Sequence, residues 1–231
     1  MRELKKKIAF TLAEVLIVIG IIGIVAEITI PSLVKDFQRK VYVARLQKSM
    51  SVLSQGFKKI MADTGCSDMV CTGVFSGTPA DNIQNANVFK IVKLCHMNET
   101  GCYDITGRYM NNAAFSIGTK PDKIVLADGS VFSIYNTRSD CSYTAGTNKY
   151  SQLCILDGII DVNGTSPPNV VGRDVFWYYL AKDGSVLPAG MSDDTRFSYW
   201  NTAASTYNCL GDGMGYSCFG RIMEKGWQMD Y

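Results

Sequence analysis

The chain has 231 residues, enough for one substantial domain with a membrane anchor or for two small domains. It contains 23 basic and 21 acidic residues, which gives a formal net charge of +2. Such a near-neutral balance argues against a nucleic-acid-binding protein, because contacts to phosphates need clustered Lys and Arg side chains.

The first nine residues, 1–9, form a short basic segment. Four of the 23 basic residues lie in it, and without the segment the chain keeps 19 basic and 20 acidic residues. Basic flanks of membrane helices stay on the cytoplasmic side. We therefore expect residues 1–9 to be cytoplasmic and everything after the next, apolar segment to be extracytoplasmic. The four residues are Arg2, Lys5, Lys6 and Lys7.

An apolar segment follows from Phe10 to Ile30. As a helix, these residues would be about 31 Å long, which matches the roughly 30 Å core of a bilayer. Glu14 stands inside this segment, where a carboxylate costs roughly 2–3 kcal/mol and usually has a partner. Glu27 lies nearer the outer end and can reach the membrane interface. The segment predicts a transmembrane helix in which Glu14 has a functional role.

Two other interpretations of the apolar segment stay open. A secretory signal peptide cut after Ala26 would place Ile24 at a position that normally holds a small residue. It would also leave Glu14 unexplained. An uncleaved membrane anchor is the second alternative.

The pattern becomes amphipathic over residues 31–64. Apolar residues recur there at three- and four-residue steps, which predicts that the same helix continues to about residue 62 and stops at Thr64-Gly65. We expect kinks near Pro31 and near Gly20 or Gly23, and a weak point at Gly56. The apolar positions are Leu33, Phe37, Val41, Ala44, Leu46, Met50, Leu53, Phe57 and Ile60.

Residues 65–231 are rich in turn-forming and β-prone residues and predict an antiparallel sheet packed on the outer half of the helix. Three Asp-Gly pairs between β-prone runs predict hairpin turns: Asp128-Gly129, Asp157-Gly158 and Asp183-Gly184. We expect Thr195–Tyr231 to form a disulfide-held loop region that caps the sheet. The predicted fold class is α+β, a long N-terminal helix packed on a β-rich head.

The chain has eight cysteines and a single histidine, His96. In an exported protein, an even number of cysteines predicts disulfides. Zinc is disfavoured because no CxxC pair occurs. Eight cysteines allow 105 connectivities, and the simplest joins neighbours: Cys66–Cys71, Cys95–Cys102, Cys141–Cys154 and Cys209–Cys218.

Oxygen-bearing side chains cluster between residues 157 and 174. Calcium takes such donors at high coordination number, although the spacing differs from that of an EF-hand. Asp and Asn beside Gly and Pro also form turns, so calcium binding and turn formation both remain open. The candidate ligands are Asp157, Asp161, Asn163, Asp174 and the hydroxyl of Thr165.

No enzyme signature is present in the sequence. Nucleophilic catalysis of the Ser-His-Asp or Cys-His type would depend entirely on His96, beside a cysteine expected to be oxidised. The chain also lacks GxSxG, phosphate-loop and HExxH motifs. We expect a protein that is not an enzyme. The aromatic runs at 176–179 and 197–200 are candidates for a sheet core, a subunit contact or a binding surface.

The N-terminal residues resemble a known processing motif. The stretch KKKIAFTLAEVLIVIGIIGIVAEITIPSL is similar to the cleavage and methylation motif of type IV prepilins and type II secretion pseudopilins. In that family a basic leader ends in Gly, less often Ala, before Phe-Thr-Leu-x-Glu and an apolar helix. The resemblance implies cleavage between Ala9 and Phe10, N-methylation of Phe10, and a late helix proline at Pro31. Ala9 departs from the usual Gly and Ala13 from the usual Ile or Val.

The resemblance implies a filament subunit with a pilin-like fold. Glu14 of one subunit would meet the Phe10 amine of its neighbour in the filament core. The implied partners are copies of itself or related subunits, the prepilin peptidase and an inner-membrane platform protein, with no nucleic acid. The subunit would first be a single-pass inner-membrane protein and then part of a periplasmic or cell-surface filament. The major pseudopilins of type II secretion also carry a calcium site in a C-terminal loop. The alternative is a membrane-anchored extracytoplasmic binding or adhesion protein that does not polymerise.

Overall fold

The computed structural model describes residues 11–231. The chain divides into two compact units, one ending at Arg39 and one, here called the globular unit, from Lys40 to Tyr231. The first helix, α1, spans Leu12–Asp63 and includes Pro31, Gly20 and Gly23 without interruption.

The C-terminal end of α1 lies where the sequence predicts it. Gly65 adopts a positive φ of 67°, and the Cys66 amide donates to the carbonyl of Met61 at 2.8 Å. A residue with positive φ just after a helix is most easily a glycine, because a Cβ atom is disfavoured there. Thr64-Gly65 therefore ends the helix by local geometry alone.

The globular unit contains eight strands and two short helices after α1. In chain order these are α2 (Pro79–Asn85), β1 (Ile91–Cys95), β2 (Thr106–Arg108), β3 (Ala114–Ser116), β4 (Asp122–Leu126), β5 (Val131–Thr137), β6 (Leu153–Asp161), β7 (Val175–Ala181), β8 (Val186–Pro188) and α3 (Cys218–Glu224), with a 3₁₀ turn at Asn148–Ser151. Six strands form an antiparallel sheet in the order β1-β4-β5-β6-β7-β8. Strands β2 and β3 form a separate hairpin.

Two of the three predicted hairpin turns are confirmed. Asp128-Gly129 joins β4 to β5 and Asp183-Gly184 joins β7 to β8, and both glycines have positive φ values, 84° and 75°. In each turn the aspartate accepts a hydrogen bond from the amide two residues later, at 3.1 and 2.9 Å. This is the local bonding that makes Asp-Gly a turn former.

The third predicted turn, Asp157-Gly158, is wrong. Both residues lie inside β6, where Gly158 is paired with Ile134 of β5 and with Tyr178 of β7. A Cβ atom on Gly158 would lie 2.4 Å from the Tyr178 ring. The glycine is there because the aromatic ring of the neighbouring strand needs the space.

The sheet is covered on both faces. On one face, α1 contributes Leu46, Leu53, Phe57 and Ile60, which are 0–3% exposed. Burying each such side chain stabilises the fold by roughly 1.5–3 kcal/mol. All seven residues of β7 are buried, and they alternate between the core shared with α1 and a second core on the opposite face. The α+β fold, with a long N-terminal helix and an antiparallel sheet, is therefore as predicted and consistent with a pilin-like architecture.

The expected C-terminal loop region is also partly helical. Residues Thr195–Tyr231 include α3, whose Phe219 and Ile222 are completely buried in the core that α1 shares with the sheet. This part of the chain therefore contributes side chains to the main core in addition to its loops.

All eight cysteines form disulfides between neighbours in the sequence. The bonds are Cys66–Cys71, Cys95–Cys102, Cys141–Cys154 and Cys209–Cys218. This agrees with the simplest pairing. Each bond closes a loop of 5 to 13 residues and so removes conformations from the unfolded chain.

Candidate functional site

The apolar part of α1, here called the apolar segment, comprises residues 12–30. Its large apolar side chains are 43–78% exposed. A contiguous apolar surface of this kind is rare on soluble proteins and marks contact with a membrane or another protein. Within the described residues, α1 is the one helix long and apolar enough to cross a membrane.

Glu14 takes part in a capping box at the start of α1. The Glu14 amide donates to Oγ1 of Thr11 at 3.2 Å, and Oε2 of Glu14 accepts hydrogen bonds from the Thr11 amide and hydroxyl at 2.8 and 2.9 Å. These bonds satisfy amide groups that the first helical turn leaves without partners. The sequence Thr-Leu-Ala-Glu is the signature of such a capping box. The cap is therefore a local role of Glu14, separate from the role in assembly that the resemblance implies.

The predicted processing residues lie outside the described part of the chain. Ala9 and Phe10 precede Thr11, the first described residue. The cleavage and methylation of Phe10 and its pairing with Glu14 remain predictions from the sequence.

Three of the proposed calcium ligands are brought together. Asp161 is 1% exposed; its Oδ1 accepts from the amides of Asn163 and Gly164, at 3.1 and 2.8 Å. Its Oδ2, and Oδ1 of Asn163, have no hydrogen-bond partner among the described residues. Asp174 is fully buried and accepts from two amides of the same loop. Buried oxygens normally have partners, so these fit a cation or a bound water.

The electrostatics of this cation loop, defined by Asp161, Asn163 and Asp174, agree with the geometry. The pKa of Asp161 is raised to about 8, chiefly by burial and also by the nearby charge of Asp174, although hydrogen bonds from the Asn163 and Gly164 amides oppose the rise. Burial also raises the pKa of Asp174. A bound cation would favour the ionised form of both carboxylates.

The donor set suits calcium better than zinc. No group of three or more His, Cys, Asp or Glu side chains is placed to hold a metal within the described residues. A cation at the cation loop would therefore depend on amide and backbone carbonyl oxygens beside two carboxylates, which are calcium donors. Thr165 is exposed.

Asp157 does not belong to the cation loop. It lies four residues before Asp161 in β6, roughly 13 Å along a strand. Its carboxylate is held by Arg196 at 2.8 Å and by Asn136 at 2.6 Å. The structure therefore separates Asp157 from the other predicted ligands.

Tyr103 is a neighbour of the cation loop that the sequence did not point to. Its buried hydroxyl also lacks a partner among the described residues, and burial, followed by the charge of Asp161, raises its pKa. No spacing pattern relates positions 103 and 161, since the two residues meet only through the fold.

The other residues that the sequence singled out, His96 and the aromatic run at 197–200, contact neighbouring side chains in the structure. Nε2 of His96 lies 3.6 Å from a carboxylate oxygen of Asp81, and both side chains are exposed. Cys95 beside it is oxidised. Tyr199 and Trp200 both donate to Glu224 at 2.6 Å.

Neither a protein-family model, nor a curated protein, nor a solved structure matches the chain. Its function is therefore inferred from its own residues and fold.

Proposed function

We propose that the chain is a structural subunit of a type IV pilin-like filament, either a pilin or a type II secretion-like pseudopilin. The observation that carries this proposal is the apolar segment, which is exposed along its length and has a carboxylate, Glu14, in its first turn as well as Glu27 near its outer end. The capping box gives Glu14 a local role in any such helix, and helix-to-helix assembly would in addition give its negative charge a partner of opposite charge.

The proposed sequence of events follows from the order of residues. The basic residues before Ala9 hold the N-terminus in the cytoplasm, and the apolar segment spans the inner membrane. The prepilin peptidase cuts between Ala9 and Phe10, and the new Phe10 amine is methylated. The platform protein then moves the subunit into a filament whose core is built from apolar segments, in the periplasm or at the cell surface.

Glu14 sets the axial register in this proposal. The methylated amine of Phe10 is a cation, and pairing it with Glu14 of a neighbouring subunit neutralises two charges in a poorly solvated core. A register that leaves either charge unpaired is strongly disfavoured, since breaking a buried pair costs about 3–5 kcal/mol.

The capping box allows a test that separates charge from helix capping. Glu14→Gln keeps an oxygen that can accept from Thr11, because Gln also serves at this position of a capping box, but it removes the negative charge. We expect Glu14→Gln to insert in the membrane normally and to lose most of its incorporation into sheared filaments. Thr11→Ala removes the capping hydroxyl and keeps the charge, and it should assemble.

Glu27→Gln is the matched control, since it removes a carboxylate from the same helix nearer its outer end. It should leave incorporation unchanged.

Mass spectrometry of the mature chain should find N-methyl-Phe10 as the first residue. Wild-type incorporation of Glu14→Gln, or a mature chain that still begins at Met1, would favour the membrane-anchored binding protein instead.

A further inference from the structure

A pocket lies on the sheet face opposite to α1. Three neighbouring strands form its floor: Tyr135 of β5 is paired with Asp157 of β6, and Ile159 of β6 with Trp177 of β7. The cavity measures about 370 Å³. Small-ligand sites typically measure about 300–1,000 Å³, so this volume is that of a site for one or two small rings.

Two distant parts of the chain form the walls of this aromatic pocket. Tyr109 follows β2, while Tyr207 and Tyr216 belong to the C-terminal region. The hydroxyls of Tyr109 and Tyr216 are 3.0 Å apart, and the Tyr216 ring stacks on Phe197 at 5.1 Å. The Cys209–Cys218 disulfide closes the loop that carries Tyr216. These contacts order the walls in advance, which lowers the entropic cost of binding a ligand.

A fixed pair of charges lies among the aromatic rings. Arg196 contacts Asp157 at 2.8 Å and also donates to the carbonyl of Leu156 at 2.8 Å. Asn136 donates to the second oxygen of Asp157 at 2.6 Å. The Arg196 and Asp157 side chains are 32% and 15% exposed, so both still reach the cavity. The pair offers oriented donors and acceptors without adding net charge.

Three further polar groups line the pocket without a hydrogen bond or an ion pair to the described part of the chain. The hydroxyls of Tyr135 and Tyr207 form no hydrogen bond with any described residue. The Lys120 ammonium forms no ion pair with any described residue. Lys120 is exposed and Tyr207 is 36% exposed. The lining therefore carries one unpaired positive charge and hydroxyls that both donate and accept.

We propose that the aromatic pocket binds a sugar residue, with a preference for one that carries a carboxylate. A pyranose presents apolar C–H faces that pack on aromatic rings, and hydroxyls that bond to the Asp157–Arg196 pair and to tyrosine. A purely apolar ligand would cover that charge pair without bonding to it, at a cost in desolvation. Cationic ligands are repelled by Lys120, whereas an acidic sugar gains from it. This site is independent of filament assembly.

The test is titration of the full-length chain, in a zwitterionic detergent free of sugar head groups, with methyl glucuronide, methyl glucoside and glucosamine. Calorimetry should find saturable binding in the order glucuronide, glucoside, glucosamine. Tyr207→Ala should weaken binding at least tenfold, while Tyr207→Phe, which keeps the ring, should weaken it less. Lys120→Ala should abolish the preference for glucuronide over glucoside, and Lys90→Ala, an exposed lysine outside the pocket, should not.

If the sugars bind but none of the pocket variants alters the binding, the site lies elsewhere and the proposal is overturned. The absence of binding to all three sugars would also overturn it. Glucosamine as the best ligand would overturn the assigned preference. The melting temperature of each variant shows whether it is folded, and the exposed Lys120 provides the test if Tyr207→Ala does not fold.

Discussion

At the scale of single residues, Gly56 shows how tertiary contact overrides helix propensity. Its sequence context suggests that Gly56→Ala would stabilise α1, since Ala is favoured over Gly in a helix by about 1 kcal/mol. In the structure a Cβ atom there would lie 2.1 Å from the ring of Phe89, which is 6% exposed and contacts Phe57 and Phe132. The glycine therefore allows the close approach of an aromatic ring.

We expect Gly56→Ala to lower the free energy of unfolding by about 1–3 kcal/mol, the usual cost of overpacking a core. Chemical denaturation of the detergent-solubilised chain measures this. Gln55→Ala, an exposed neighbour on the same helix, should change it by less than about 0.5 kcal/mol. A stabilised Gly56→Ala variant would contradict the assigned contact.

Also at the residue scale, the partnerless oxygens of Asp161 and Asn163 predict a response to calcium. Calcium that binds only the folded state should stabilise the chain by about 2.7 kcal/mol when its concentration is one hundred times its Kd. The measurement is the melting temperature, which should rise when calcium is added back to the chelated protein. Asp161→Asn should abolish the response. Asp157→Asn should retain it, because Arg196 and Asn136 hold that carboxylate away from the cation loop. A melting temperature that millimolar calcium leaves unchanged would reject the site.

At the scale of elements, one ion pair joins α1 to the β4–β5 turn. Lys48 Nζ lies 2.6 Å from Asp128, whose side chain is 31% exposed. Burial alone would raise the pKa of Asp128, but hydrogen bonds from Lys48 and Ser130 outweigh it and hold the pKa below 3.8. A carboxyl group with a lowered pKa stabilises the fold above its unfolded-state pKa, and this contribution is lost as the pH falls through the folded-state value.

We therefore expect Lys48→Met to lower the free energy of unfolding by up to about 1 kcal/mol at pH 6, the usual upper value for such a pair. The difference from the wild type should shrink below pH 3.8 and at high salt. Lys59→Met is the control, since Lys59 pairs with Asp63 inside α1 and joins no second element. An effect of Lys48→Met that is constant from pH 6 to pH 2 would show that the charge pair is not its cause.

At the scale of the whole molecule, the two parts of α1 differ in what surrounds them. From Tyr42 onward the helix contributes buried residues to the main core, whereas none of residues 12–30 is buried. We therefore expect the globular unit to fold without the apolar segment. A shortened chain that begins at Ser32 should stay in solution without detergent and unfold at nearly the temperature of the full chain. Aggregation of that chain, or a large fall in its melting temperature, would show otherwise.

Much of this fold could be predicted because its signals are local. The apolar segment, the helix end at Thr64-Gly65 and the turns at Asp128-Gly129 and Asp183-Gly184 each depend on residues that are close in sequence. Short disulfide loops belong to the same class, since nearby cysteines meet with a small loss of chain entropy. The capping box of Thr11 and Glu14 was equally visible in the sequence.

Only the tertiary structure decided the rest. The residue types of Asp157-Gly158 predict a turn, but the pair lies inside a strand in the fold. Strands on both sides pair with it, and the Tyr178 ring occupies the space that a Cβ atom on Gly158 would need. The same pairing places Asp157 beside Arg196, 39 positions further along the chain. Asp157 therefore lines the aromatic pocket and does not belong to the cation loop. The spacing of residues in the sequence indicates which local conformations are favoured. Contacts between distant residues form only when the whole chain packs, so spacing does not predict them.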